Sequence, residues 1–363
     1  MIKNVLSTGF IVCYTPGMRM IITDISALEY WRSPLSDLAV SRQTCRAYSP
    51  PLSAPISAAL KGHALVASGM LSLPIHVLTL DDRRKGTPWL VVHQAQSLPV
   101  GSLRRVFLPN CDDEVFATSP ELTFVTMASH LSFAQTVHLG YELCGTHAPD
   151  NSELYGTRDR PPLSTPTKIA SFLDDLANIR GKEQAAKTLP HVLTRSASPR
   201  ESTLAALVTL PYMRGGSSMP HPLMNEAILL GKRNRWTTDR SYFRCDLLWP
   251  EHGVAVEYDS TLCHTGAERI AQDASRRNAL ESLGLTVVTA TWKQVSDYRE
   301  YNRFARILAG HLHTRIRPRC SDYQQRQLAL RSELLRCPAM YRTSKPEQTE
   351  AGLMVKNASK SSF

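Results

Sequence analysis

The chain has 363 residues, 42% of them hydrophobic and 20% charged, with a formal net charge of +10; this excludes a disordered or fibrous polymer and suits two domains that each bury a core. Residues 1–194 carry a net +1, residues 195–317 a net +5 and residues 318–363 a net +4. A polyanion partner is therefore expected for the C-terminal half, with an ordinary solvated surface as the alternative.

No apolar run approaches the roughly 18–20 residues that span a bilayer, so no membrane partner is expected. The eight cysteines are scattered, with no C-x-x-C pair. That pattern disfavours a disulfide scaffold or a compact zinc knuckle and points to reduced thiols in the cytoplasm. Residues 5–14 (VLSTGFIVCY) are apolar behind Lys3 but lead to no clean small-residue cleavage site, and Met18 or Met20 is an alternative start.

Residues 20–32 (MIITDISALEYWR) predict a short strand, a turn and a helix beginning near Ser26. Residues 34–60 are proline-containing loop with short helices. Residues 73–80 (LPIHVLTL) and 88–92 (PWLVV) read as strands around a polar turn. Ser119, followed by Pro120, caps a helix that continues through apolar positions 122, 125, 128 and 131. Residues 146–167, rich in Pro, Asp, Thr and Gly, predict an exposed linker, followed by helices at about 168–179 and 182–194. The N-terminal half shows no cluster of acids, histidines or glycines that reads as a site.

The informative stretch is 195–295. Ser198-Pro199-Arg200-Glu201 is a capping box with proline in the first turn. Tyr242 to Trp249 (YFRCDLLW) and Val254 to Asp259 (VAVEYD) read as strands joined by the turn residues 250–253, and Ala267 to Leu283 as a helix ended by Gly284. Leu285 to Thr291 reads as a buried strand. A simple hairpin register places Trp249 opposite Val254, Asp246 opposite Glu257 and Arg244 opposite Asp259. Two carboxylates about 5 Å apart across a strand pair repel unless one protonates or a divalent cation lies between them.

The run R-C-D-L-L-W-P-E, V-A-V-E-Y-D-S, H-T, D-x-x-R and L-x-x-x-G-x-x-V-V over residues 195–315 resembles the PD-(D/E)XK nuclease superfamily, in the branch related to very-short-patch-repair endonucleases. The resemblance implies an α/β protein whose C-terminal domain is a restriction-endonuclease-like mixed sheet flanked by helices. It implies that Asp246 and Glu257 bind Mg²⁺, with Mn²⁺ as a substitute, for hydrolysis of DNA phosphodiesters. Asp259 stands where the superfamily usually keeps lysine. His264 occupies the position of a histidine near the metal, and Glu201 that of an acid on the first helix that assists it. Cations at Arg235, Arg240, Arg244, Arg276, Arg277 and Lys293 are candidate phosphate contacts.

Each assignment has a structural alternative. Asp246 and Glu257 could be edge acids, Asp259 could pair with Arg244, His264 could be a solvated loop histidine, and Glu201 could serve only its capping box. The expected organisation is an N-terminal α+β accessory domain over 18–145, a linker with connecting helices over 146–194, the endonuclease-like domain over 195–317, a helix over 318–342 and a disordered tail over 343–363. The first domain is faintly similar, in layout and at V-F-A-T-S-P-E-L-T-F, to abortive-infection antitoxin-type regulators, and is a candidate surface for a protein partner. An inactive nucleic-acid-binding regulator is the alternative to the nuclease.

Overall fold

The computed structural model describes residues 19–40, 60, 63–80, 86–106, 113–150, 152–153, 156–177, 179–229, 241–259 and 267–340. Arg235, Arg240, His264 and the expected tail lie outside the described residues. The fold is α/β.

The chain begins with β1 (Arg19–Ile22), α1 (Asp24–Arg32), α2 (Leu35–Val40) and α3 (Ala64–Ala67). Then come β2 (Ile75–Thr79), β3 (Leu90–Gln94), β4 (Leu103–Arg105) and β5 (Glu114–Thr118). These strands form one mixed sheet in the order β3-β2-β1-β5-β4. Period-two alternation divides its faces. Met20, Ile22, Val77, Val115 and Ala117 pack with Tyr30 and Trp31 on one side, while Ile21, Leu78 and Phe116 meet the following helices on the other. β2 and β3 are parallel neighbours, Ile75 beside Leu90 and Thr79 beside Gln94, so the polar stretch between them does not close a hairpin.

Ser119 caps α4 (Pro120–Ala128), its hydroxyl accepting from Leu122 N at 3.2 Å. A Ser132/Gln135 capping box opens α5 (Phe133–Leu143). Residues 146–167 are not the exposed linker that composition suggests. They contain a ribbon of β6 (His147–Pro149) and β7 (Thr157–Asp159), held by arginines that saturate helix-end carbonyls. Arg158 Nη2 donates to Ser33 O at 2.8 Å and to Arg32 O at 3.1 Å, and Arg160 Nη2 donates to Glu142 O at 2.8 Å. α6 (Pro166–Asp175) and α7 (Lys182–Thr188) then bury Ile169, Leu173 and Ala185 in the core formed by α4 and α5.

The C-terminal half runs α8 (Pro199–Thr209), β8 (Leu223–Leu229), β9 (Tyr242–Trp249), β10 (Val254–Asp259), α9 (Ala267–Ser282) and β11 (Thr286–Thr291), followed by α10 (Trp292–Ser296), α11 (Tyr298–His311) and α12 (Tyr323–Met340). Its sheet is ordered β11-β10-β9-β8, with β10 and β11 parallel and the other pairs antiparallel. Ala279 and Leu280 of α9 cover one face, and α8, α11 and α12 cover the other. The strand β8 has no counterpart in the sequence reading.

Candidate functional site

The hairpin register agrees with expectation over its first half: Trp249 pairs with Val254, Leu248 with Ala255 and Leu247 with Val256. There the ladder stops. Asp246 and Glu257 are therefore not a cross-strand pair, and neither are Arg244 and Asp259. Arg244 is instead paired with Ala227 of β8, and Asp259 with Thr291 of β11. On the other side of β9, the β8 ladder skips the Asn225–Asp246 position, where Asn225 takes φ +50°.

The side chains record the same break. Phe243 and Cys245 pack under α9, whereas Leu247 and Trp249, of the same parity, pack on the opposite face. Both strands of the β8–β9 pair change faces at Asn225 and Asp246, where one residue of each drops out of the ladder while the register on either side stays the same. Asp246 thus lies in an opening of the sheet, and its Oδ2 accepts from Tyr258 N at 2.6 Å in place of a ladder bond.

Around this opening three acids and one arginine meet. Burial pushes the Asp246 carboxyl up to about 8, assisted by the nearby charges of Glu201 and Glu257. Glu257 is also raised by burial, against the opposing effect of Arg276. The Arg276 Nη2 donates to Glu257 Oε2 at 2.6 Å and to Arg244 O at 2.6 Å. Glu257 Oε1 is buried and meets no nitrogen or oxygen donor. Cys245 is buried alongside, and its thiol is pushed far up by burial and by Glu257. The thiol is hydrogen-bonded to Glu257; of the other described free cysteines, Cys144 is buried and the half-buried Cys320 donates to Tyr212 O at 3.8 Å.

Glu201 is committed to the start of α8. Its Oε2 accepts from Ala197 N at 3.0 Å and from Asn225 Nδ2 at 2.6 Å, and its Oε1 accepts from Ser198 Oγ at 2.9 Å. Both oxygens are used by the cap and by Asn225, so Glu201 acts on the site through its charge. Asp259 is exposed at the end of β10. Arg276 is turned into the site, while Arg244, Arg277 and Lys293 are exposed, Arg277 donating to Thr289 Oγ1 at 2.8 Å. At the rim, the Arg200 guanidinium lies 4.5 Å from the centre of the Trp292 ring, and its Nη1 reaches Tyr258 Oη at 3.3 Å. Trp249 is core, whereas Trp292 is 40% exposed.

A second polar cluster lies on the N-terminal sheet, where sequence reading found none. Asp24, His76 and His93 could bind a metal ion: one ligand atom from each lies within 4.8 Å of the others, a condition that among the described residues Glu201, Asp246 and Glu257 do not meet. Burial, partly offset by Asp24 and reinforced by His93 and His130, pushes the His76 imidazole down to about 4. The one available signal was a polar residue interrupting each of two apolar strands, in I-H-V-L and V-V-H.

No family model matches the chain, and no solved structure does. Two curated proteins from two strains of Mycobacterium tuberculosis, both described as uncharacterized, are each 27% identical over 262 residues, covering 69% of this chain and 82% of the relative. Among the described residues, no helix is long and apolar enough to cross a membrane.

Proposed function

We propose that the opening at Asp246 is the active site of a metal-dependent nuclease acting on DNA phosphodiesters, with Asp246 and Glu257 holding Mg²⁺ or Mn²⁺. The observation that carries this reading is the pair of buried carboxyls at one opening, Glu257 with an Oε1 that meets no nitrogen or oxygen donor and Asp246 pushed up to about 8. Magnesium commonly takes only one or two protein carboxylates and completes its shell with water and phosphate, so the pair suffices with Glu201 kept in its cap. When bound, such an ion lowers the pKa of a water and offsets charge on the scissile phosphate.

The chain's own groups do the rest. Arg276 orients Glu257 and brings into the site the positive charge that Asp259, at the usual lysine position, does not supply. The Arg200–Trp292 pair offers a cationic and aromatic rim suited to a nucleotide strand. The exposed Arg244, Arg277 and Lys293 are candidate contacts for flanking phosphates, with Arg235 and Arg240 near Arg244 in sequence. The order helix, three strands, helix, strand from α8 to β11 supports the resemblance to PD-(D/E)XK nucleases. A cytoplasmic location, and a protein partner on the N-terminal half, belong to the same reading.

The Arg276–Glu257 ion pair favours a second reading, in which the guanidinium has replaced the cation and the site binds nucleic acid without cutting it. Supercoiled-plasmid nicking with Mg²⁺ or Mn²⁺ separates the two. Cutting that disappears in EDTA, in Asp246→Ala and in Glu257→Ala supports the nuclease. Salt-sensitive binding by a wild type that cuts nothing selects the regulator. Equal cutting by wild type and both variants removes catalysis from this site.

A further inference from the structure

The nuclease reading leaves the histidines of the N-terminal sheet unused. His76 on β2 and His93 on β3 lie on parallel neighbours whose register sets His76 beside Val91 and His93 beside Leu78. The two imidazoles therefore share a face, and their rings stack at 5.1 Å with His76 Nδ1 and His93 Nε2 3.0 Å apart. Asp24 stands at the β1–α1 junction, only 2% exposed, with its Oδ1 3.7 Å from His76 Nδ1 and 3.5 Å from His130 Nε2. Its backbone is held at φ +55°, a left-handed conformation that a non-glycine residue adopts at a cost and that clusters at functional sites. The same Oδ1 accepts from Ile25 N at 2.8 Å, which fixes the carboxylate.

We propose that Asp24, His76 and His93 form a second metal centre, of the zinc class, with a fourth position open beside His130. Ligands bonded to tetrahedral zinc at 2.0–2.1 Å lie about 3.3 Å from one another, and the 3.0 and 3.7 Å separations bracket that value. Two imidazoles and one carboxylate suit zinc and its neighbours in the transition series better than magnesium or calcium, which prefer all-oxygen shells. The ligands come from three separate elements, so the geometry is set by the sheet and not by a flexible loop. Three protein ligands are the pattern of zinc sites that keep a position for water or a small anion. The His130 side chain, 46% exposed, marks the side from which such a ligand arrives.

Cobalt is the probe, because four-coordinate Co²⁺ absorbs visible light far more strongly than the six-coordinate ion expected at a carboxylate pair. The full chain carrying Asp246→Asn and Glu257→Gln, which silences the other site, is stripped with EDTA and titrated with Co²⁺. One equivalent should produce the intense four-coordinate absorption, and Zn²⁺ should abolish it. His93→Gln and Asp24→Asn should weaken binding by more than the roughly 10–100-fold that an outer partner costs, while His130→Gln keeps the band. His93, on a half-buried position of the strand, gives a second variant should Asp24→Asn unfold, with far-ultraviolet circular dichroism as the check. Absence of the intense band, or its persistence in His93→Gln, overturns the proposal.

Discussion

Asp246→Asn should stabilise the metal-free protein at alkaline pH and do little at acid pH. Burial, then the charges of Glu201 and Glu257, raise the folded-state carboxyl from 3.8 to about 8. Between those values the folded state keeps a proton that the unfolded chain releases, so this carboxyl's contribution is full below about pH 4 and is lost as pH rises to about 8. Roughly four decades of proton affinity, at about 1.4 kcal/mol each, set a ceiling near 6 kcal/mol, and partial access to water lowers it. Asparagine removes the charge but keeps an oxygen for Tyr258 N, now 2.6 Å away. Urea unfolding in EDTA should show the variant more stable than wild type by about 2–5 kcal/mol at pH 9 and within about 0.5 kcal/mol at about pH 3.5. Adding Mg²⁺ at pH 9 should raise the wild type and leave the variant unchanged. A variant no more stable than wild type at pH 9 would refute the buried-carboxylate argument and, with it, the electrostatic case for a cation here.

Arg32→Met should destabilise by about 3–5 kcal/mol in denaturant unfolding, because Arg32 makes a two-pronged contact with the buried Glu142 at 2.7 and 2.6 Å. Burial alone would push Glu142 up; Arg32, followed by Arg160, holds it below its ordinary value, so the loss should be largest near neutral pH and shrink as the medium becomes acidic. Ser198→Ala removes the cap of α8 and the hydroxyl that donates to Glu201, and should lower stability by about 1 kcal/mol in thermal melts. Arg158→Ala undocks the β6–β7 ribbon from the end of α1 and should turn residues 146–167 into an early proteolytic site in a cleavage time course, while the wild type resists.

The parts of the site that were legible in the sequence are those written in local chemistry. The Ser198 cap, the turn at residues 250–253 closed by Gly253 at φ +62°, and the end of α9 marked by Gly284 at φ +82° all agree with expectation. The hairpin register is right as far as Leu247 and Val256 because both faces there are buried and a slip would expose them. It fails at Asp246, since the failure is set by Asn225, on a strand with too little alternation to be recognised. The Asp24 cluster was invisible for a different reason. Its members come from three segments, and only the parallel pairing of β2 with β3 aligns His76 with His93; no spacing along the chain encodes that.

The division of labour between the halves also differs from what composition suggests. In α5, residues 134–143 are all buried, the mark of a helix enclosed on every side. Leu139 and Leu143 face the core of the first sheet, whereas Ala134, Val137 and Tyr141 face Leu204, Leu207 and Leu330 in the core behind the C-terminal sheet. The packing is therefore continuous past the stretch where a linker was expected, and the α8 helix that carries Glu201 is braced by the N-terminal half. Because Glu201 raises Asp246 by its charge and holds Asn225 at the break in the ladder, the pose of α8 helps to set both the width of the opening and the proton affinity inside it. A ligand that alters the N-terminal sheet, a metal ion at Asp24 included, has in α5 and α8 a physical route to that carboxylate.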